Sequence, residues 1–261
     1  MPQSLVRLER TGQIATVLLD NPPVNAVSVA LLHELHAAFD EIEANRGIRC
    51  VILSGAGEKG FCAGADLREE KQFRDPDASR DFRALGRRTL QRIETFPKPI
   101  VAAIHGYCIG GGTALGWACD VRLAADNALF RAGDAYLSVV PSWGMGLLRL
   151  PRLVGRNRAL DLLLLGENFG AVRAHELGLV TEVVPRQELQ GRTQEVAARI
   201  ASASPAAIRA IRKAISFNLR HGWDETAAYE EELAAQAFAH PDCEEGFSAF
   251  LEKRPPQFRN L

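Results

Sequence analysis

Phe61-Cys62-Ala63-Gly64-Ala65-Asp66-Leu67 and Gly106-Tyr107-Cys108-Ile109-Gly110-Gly111-Gly112 are two turns built of small residues, some forty positions apart. Each follows an apolar run and precedes a helix-like stretch. Glycines let a backbone approach a ligand closely, because no Cβ stands in the way. Side by side, the two turns would aim two backbone N–H groups at one oxygen. That arrangement stabilises a developing oxyanion, such as the enolate formed when a proton leaves the carbon beside a thioester carbonyl. A helix beginning near Gly111 would add the positive end of its dipole.

The triple glycine Gly110-Gly111-Gly112 has other readings. No Gly-Lys-Ser/Thr follows it, so it is not a phosphate-binding Walker loop. Gly110, Gly112 and Gly116 have the wrong spacing for a dinucleotide fingerprint, and no ribose-binding acid follows at the expected distance. Close packing of a helix on a strand is the plain alternative. The Ala63-Gly64-Ala65-Asp66 turn tips the balance to an oxyanion site.

Other reactive side chains are less suggestive. The five cysteines, Cys50, Cys62, Cys108, Cys119 and Cys243, form no C-x-x-C pair. Four lie in apolar surroundings and read as reduced, buried thiols. Cys62 sits inside the first turn, but no histidine is spaced to activate it as a nucleophile. Clustered ligands for a metal are absent. His105, at a strand end, reads as structural, and Tyr107 as a packing residue within reach of the site.

The elements that must hold these turns alternate. Ile14–Leu19 reads as a strand closed by Asp20-Asn21-Pro22-Pro23. Ser28 is placed to cap a helix from Val29 to Ala44, with Leu31, Leu32, Leu35, Ala38, Phe39 and Ile42 on one face. Strands follow at Cys50–Ser54, Ile100–Ile104, Asp120–Ala125 and Ala128–Arg131. Helices are expected at Arg83–Glu94, Thr113–Cys119 and Asn157–Leu164. Arg68–Asp81 is charge-rich and reads as a loop or irregular helix. Long connections between strands favour parallel pairing. After Pro185, Leu189–Ser202, Pro205–His221 and Thr226–Ala239 are all helical patterns. The expectation is an α/β core over residues 1–195 with a helical C-terminal region over 196–261.

The chain has 261 residues, 47% hydrophobic and 24% charged, with a formal net charge of −1. That is an ordinary globular composition. No basic field is available to hold nucleic acid or an anionic membrane. Met1-Pro2-Gln3-Ser4 does not open a signal-like segment, and no apolar run approaches the about 18 residues of a membrane span. A cytoplasmic protein is expected.

With these segments in order, the chain resembles the crotonase (enoyl-CoA hydratase/isomerase) superfamily. The resemblance rests on Asp20–Ala26, Phe61–Leu67, Gly106–Gly112, Cys119-Asp120, Phe130, Gly178-Leu179-Val180 and Ser248–Arg254. It implies a spiral of ββα turns with a C-terminal α-helical oligomerisation region, forming a homotrimer or a dimer of trimers. It implies an acyl-CoA thioester as substrate, coenzyme A being part of the substrate rather than a cofactor. The oxyanion-hole amides map onto Ala65 and Gly111. Ala63, Asp66 and Leu67 map near the adenine pocket, and Ala26 beside the pantetheine. Phe250 and Lys253 map onto positions that reach coenzyme A from a neighbouring subunit.

The departures bear on the reaction. Hydratases of the family carry two glutamates across the double bond. The first position is Ala114 here, and the second is Asp134. Two carboxylates hold and activate water; one suffices to shuttle a proton. A further isomerase acid position falls at Ser142, which cannot act as a carboxylate. Trp143 is expected to wall the acyl pocket. The favoured expectation is double-bond isomerisation with Asp134 as the lone acid/base. Hydration, another enolate reaction such as decarboxylation or C–C cleavage, and a silent acyl-CoA binder are the alternatives.

Overall fold

The computed structural model describes residues 4–73, 75–143 and 145–260. Arg74 in the charge-rich segment and Gly144 in the Pro141–Gly146 stretch lie outside them. The chain runs β1 (Val6–Thr11), β2 (Ile14–Leu19), α1 (Val29–Ala44), β3 (Cys50–Gly55), α2 (Leu67–Glu70), α3 (Pro76–Thr95), β4 (Ile100–Ile104), β5 (Tyr107–Ile109) and α4 (Gly111–Ala118). It continues through β6 (Val121–Ala125), β7 (Leu129–Arg131), α5 (Leu150–Val154), α6 (Arg156–Leu165), β8 (Phe169–Gly170), α7 (Ala171–Glu176) and β9 (Glu182–Val184). It closes with α8 (Leu189–Ala201), α9 (Pro205–Asn218), α10 (Trp223–Phe238) and α11 (Pro241–Leu251).

Six strands form one sheet in the order β1-β2-β3-β4-β6-β9, and β5-β7-β8 form a second. Within the first sheet only β1 and β2 run antiparallel. The parallel strands read as near-continuous apolar runs because both of their faces are covered. In β3, Val51 and Leu53 point into the larger core with Leu31, Leu35 and Phe39 of α1. Cys50 and Ile52 point the other way, against Leu189, Ala197 and Ala201 of α8. Helix α8 therefore packs on the sheet and runs across residue 195.

Local signals explain several boundaries. Ser28 caps α1 by accepting the Leu31 N–H. Asp75 caps α3, with Pro76 in its first turn. Pro76–Asp81, expected to be loop or irregular helix, is thus a regular part of α3. Helix α4 starts at Gly111, as the dipole reading of the triple glycine expected, two residues before the apolar pattern begins at Thr113. Strands β8 and β9, two and three residues long, were not foreseen, and neither was α11. Helices α9 to α11 leave Ile211, Ile215, Trp223, Phe238, Phe247, Phe250 and Leu251 largely exposed.

Asn25 ties the entry to α1 onto the segment that leads into the first small-residue turn. It is buried with φ 55°, a conformation that asparagine tolerates better than most residues. Its amide donates to the carbonyls of Ala56 and Gly60, each at 2.9 Å, and its oxygen accepts from Asn21 N at 3.1 Å. Asn25→Ala is expected to lower unfolding stability by about 1–3 kcal/mol, the cost of orphaning a buried polar group. Urea unfolding reads this, and a wild-type midpoint would refute it.

Candidate active site

The two glycine-rich turns lie against each other. Gly60 pairs with Gly106 and Cys62 with Cys108 as isolated bridges. Cys62 N donates to Tyr107 O at 2.9 Å, and Ile109 N returns to Cys62 O at 3.0 Å. The contact is so close that a Cβ on Gly112 would stand 2.1 Å from Cys62 O. Gly64, at φ +93°, then turns the first loop toward the start of α4.

Ala65 bridges Val27 in a parallel sense. In that bridge Gly64 O accepts from Val27 N, and Asp66 N donates to Val27 O. The N–H of Ala65 itself is spared. A Cβ built on Gly111 would lie 3.5 Å from Ala65 N, and one on Gly64 would lie 3.2 Å from Gly111 N. The two amides expected to form the oxyanion hole are therefore neighbours, and Gly111 opens α4 at its positive end.

Both amides line a cavity of about 760 Å³, together with Ala63, Leu67, Ala114, Asp134 and Trp143. The Trp143 ring meets Phe82 edge-on at 5.4 Å, and a Cβ on Gly86 would come within 2.5 Å of it. Trp143 is thus a fixed wall, as expected. Ala114 is a buried, apolar part of the same lining. Asp134 begins a single 3₁₀ turn, Asp134–Leu137, just after β7. Its carboxyl is half-buried, and this desolvation raises its pKa above the ordinary aspartate value.

A second carboxylate lines the cavity, and sequence reasoning missed it. Glu70 closes the four-residue helix α2, three positions after Leu67, so both point to the cavity side. Between them Glu69 faces the other way and accepts from Val29 N at 3.0 Å. Burial raises the pKa of Glu70, Arg83 opposes that rise, and the charge of Asp134 adds to it. The only sequence clue was the three-residue spacing from Leu67, inside a segment too charged to show a face.

The remaining expected residues are spread more widely. Ala26, Asp66, Phe250 and Lys253 are not among the described residues lining the cavity. Ala26 precedes the bridge residue Val27, and its carbonyl accepts from Asn21 Nδ2 at 2.7 Å. Asp66 caps α2 by accepting from Arg68 N and Glu69 N. Phe250, 83% exposed, lies near the end of α11 with Lys253 just beyond it. Tyr107 is half-exposed on β5, outside that lining. His105 is buried, with Nε2 2.9 Å from Gly57 O, in keeping with a structural role. Cys62 is fully buried and its thiol is pushed up to about 12, which leaves no nucleophilic thiolate. Among the described residues no cluster of His, Cys, Asp or Glu could hold a metal ion, and no helix is long and apolar enough to cross a membrane.

The profile of the enoyl-CoA hydratase/isomerase family matches residues 9–260. The chain belongs to this family, and its fold is the crotonase fold. A short-chain-enoyl-CoA hydratase of Clostridium acetobutylicum is 36% identical over 250 residues, 95% of each chain. A crotonyl-CoA hydratase of Syntrophomonas wolfei is 34% identical over 96% of each chain. The solved structure of an enoyl-CoA hydratase from Bacillus anthracis superposes with a TM-score of 0.94 at 36% identity, covering 99% of this chain and all of that one. These relatives are named for hydration, not for the isomerisation expected from Ala114. The chain is an enzyme of the family acting on acyl-CoA.

Proposed function

We propose that this enzyme reversibly adds water to an α,β-unsaturated acyl-CoA. The observation that carries the reading is one cavity shared by the Ala65 and Gly111 amides and the Asp134 carboxyl. The amides donate hydrogen bonds to the thioester carbonyl oxygen and stabilise it as it becomes an enolate. Asp134 moves the proton at the α-carbon. Ala63, Leu67, Asp66 and Ala26 border the coenzyme A moiety, which needs no further cofactor. Phe250 and Lys253 serve the site of a neighbouring copy. The hydratase names of the relatives support water addition as the outcome.

Isomerisation is the second reading, favoured by the apolar Ala114 wall, which leaves Asp134 to shuttle a proton unaided. A panel of 2-enoyl and 3-enoyl thioesters separates the two. Hydration yields 3-hydroxyacyl-CoA from the 2-enoyl substrates. Conversion of 3-enoyl to 2-enoyl thioesters with no hydroxy product would establish isomerisation. Binding without turnover would leave an acyl-CoA binder.

The many exposed apolar residues of α9 to α11 support assembly through these helices, since large apolar surface is rarely left to water. Sedimentation is expected to give a trimer or a pair of trimers. A monomer at micromolar concentration would refute this.

A further inference from the structure

We infer that Glu70 is the second carboxylate of this active site and holds the water that adds to the β-carbon. The inference rests on the hydration reading above. A hydratase that works with two carboxylates must take the second from somewhere, and at Ala114 the helix α4 offers only a methyl group. Helix α2 offers an alternative from another wall of the same cavity.

The position of Glu70 is built rather than incidental. Asp66 caps α2 and fixes its start, with Glu70 N donating to Asp66 O at 2.9 Å. Glu69 anchors the outer side of the turn to α1. Those two ties orient Leu67 and Glu70 into the cavity beside the oxyanion loop. Across from them Arg83 and Ser79, one turn apart on α3, also line the cavity and hydrogen-bond to each other. Among the described residues no side chain makes a hydrogen bond or ion pair to the Glu70 carboxylate, so its oxygens are uncommitted. A half-buried carboxylate facing a roomy cavity, with the polar groups of Ser79 and Arg83 on the same lining, is suited to binding water. Burial raises the pKa of Glu70, and the nearby charge of Asp134 adds to that rise.

The step balances. Ionised Glu70 takes a proton from water as the water oxygen bonds to the β-carbon. The π electrons move onto the thioester oxygen, held by the Ala65 and Gly111 amides. Protonated Asp134 then delivers its proton to the α-carbon, and the carbonyl re-forms. The net addition is one water. The proton left on Glu70 returns to Asp134 directly or through solvent.

The test uses the full-length enzyme and the variants Glu70→Gln and Glu70→Asp with two readouts. The first is hydration of the best 2-enoyl-CoA of the panel. The second is exchange of the α-proton of the matching saturated acyl-CoA in deuterated water, which needs Asp134 and the oxyanion amides but no added water. Glu70→Gln is expected to lose about 10²–10⁴-fold in kcat for hydration, the usual range for a positioned acid or base. Its KM and its exchange rate should stay within a few fold of wild type, and Glu70→Asp should recover part of the hydration rate. Hydration by Glu70→Gln at near wild-type kcat overturns the assignment, as does equal loss of both reactions or a change confined to KM. If the wild-type enzyme hydrates no member of the panel, the hydration reading itself has failed, and the role of Glu70 falls with it.

Discussion

Asp134→Asn is expected to reduce turnover by about 10²–10⁴-fold, the usual contribution of a positioned acid or base. The change is close to isosteric and leaves both oxyanion amides in place, so acyl-CoA binding should be nearly unaltered. Exchange of the α-proton in deuterated water should disappear with turnover. Because burial raises the Asp134 pKa, wild-type exchange should rise with pH through a value above the usual aspartate pKa of about 3.9. The variant should lack that limb. Stability should move the opposite way. A carboxyl whose folded pKa is raised binds its proton more tightly in the folded state, so stability falls as pH climbs from the unfolded toward the folded pKa. Above that window the aspartate carries a cost that asparagine does not. The variant should therefore unfold at a higher temperature than wild type at pH 7, and the gain should vanish in acid. Full proton exchange by the variant would show that another group is the base.

Ala65→Pro is the second large effect. Proline has no N–H and removes one of the two oxyanion donors. Loss of one such donor costs about 10²–10³-fold in kcat, or about 2.7–4 kcal/mol. The bridge to Val27 runs through Gly64 O and Asp66 N, so the substitution breaks none of its hydrogen bonds. Circular dichroism should match wild type, and coenzyme A binding should be largely retained. A folded Ala65→Pro enzyme with unchanged turnover would remove Ala65 from the oxyanion hole.

The two glycine-rich turns could be read in the sequence because they are made of backbone. Turns of Gly and Ala leave a visible gap in side-chain pattern, and the apolar runs before them announce strands. Ser28 and the spacing of Leu31, Leu35, Phe39 and Ile42 likewise announced α1. Glu70 was hidden because a helix of one turn is too short to show periodicity, and its neighbours Arg68, Glu69 and Lys71 are charged as well. Strands β8 and β9 were missed for a related reason: in two or three residues pairing is dictated by the partner strand, not by local pattern. The spacing of Ala114 and Asp134 pointed to isomerisation without registering Glu70 on the same cavity, because linear spacing does not say which walls of a cavity face each other.

The tight apposition of Gly112 and Cys62 has a consequence for how this protein tolerates change. The charge-stabilising donors proposed here are amide groups, which every residue but proline carries, so side-chain replacement leaves them present. What can be lost is their approach, and that depends on a few positions without room for a methyl group. In a saturation scan of all substitutions, Gly112 should accept nothing larger than hydrogen, since its Cβ would collide with the Cys62 carbonyl at 2.1 Å. Ala65 should by contrast lose activity chiefly to proline. Positions 70, 114 and 134 should tolerate many residues for folding while altering what the enzyme does to its substrate. The power to stabilise an enolate and the choice of what becomes of it are therefore written in separate places, and one can drift while the other stays fixed.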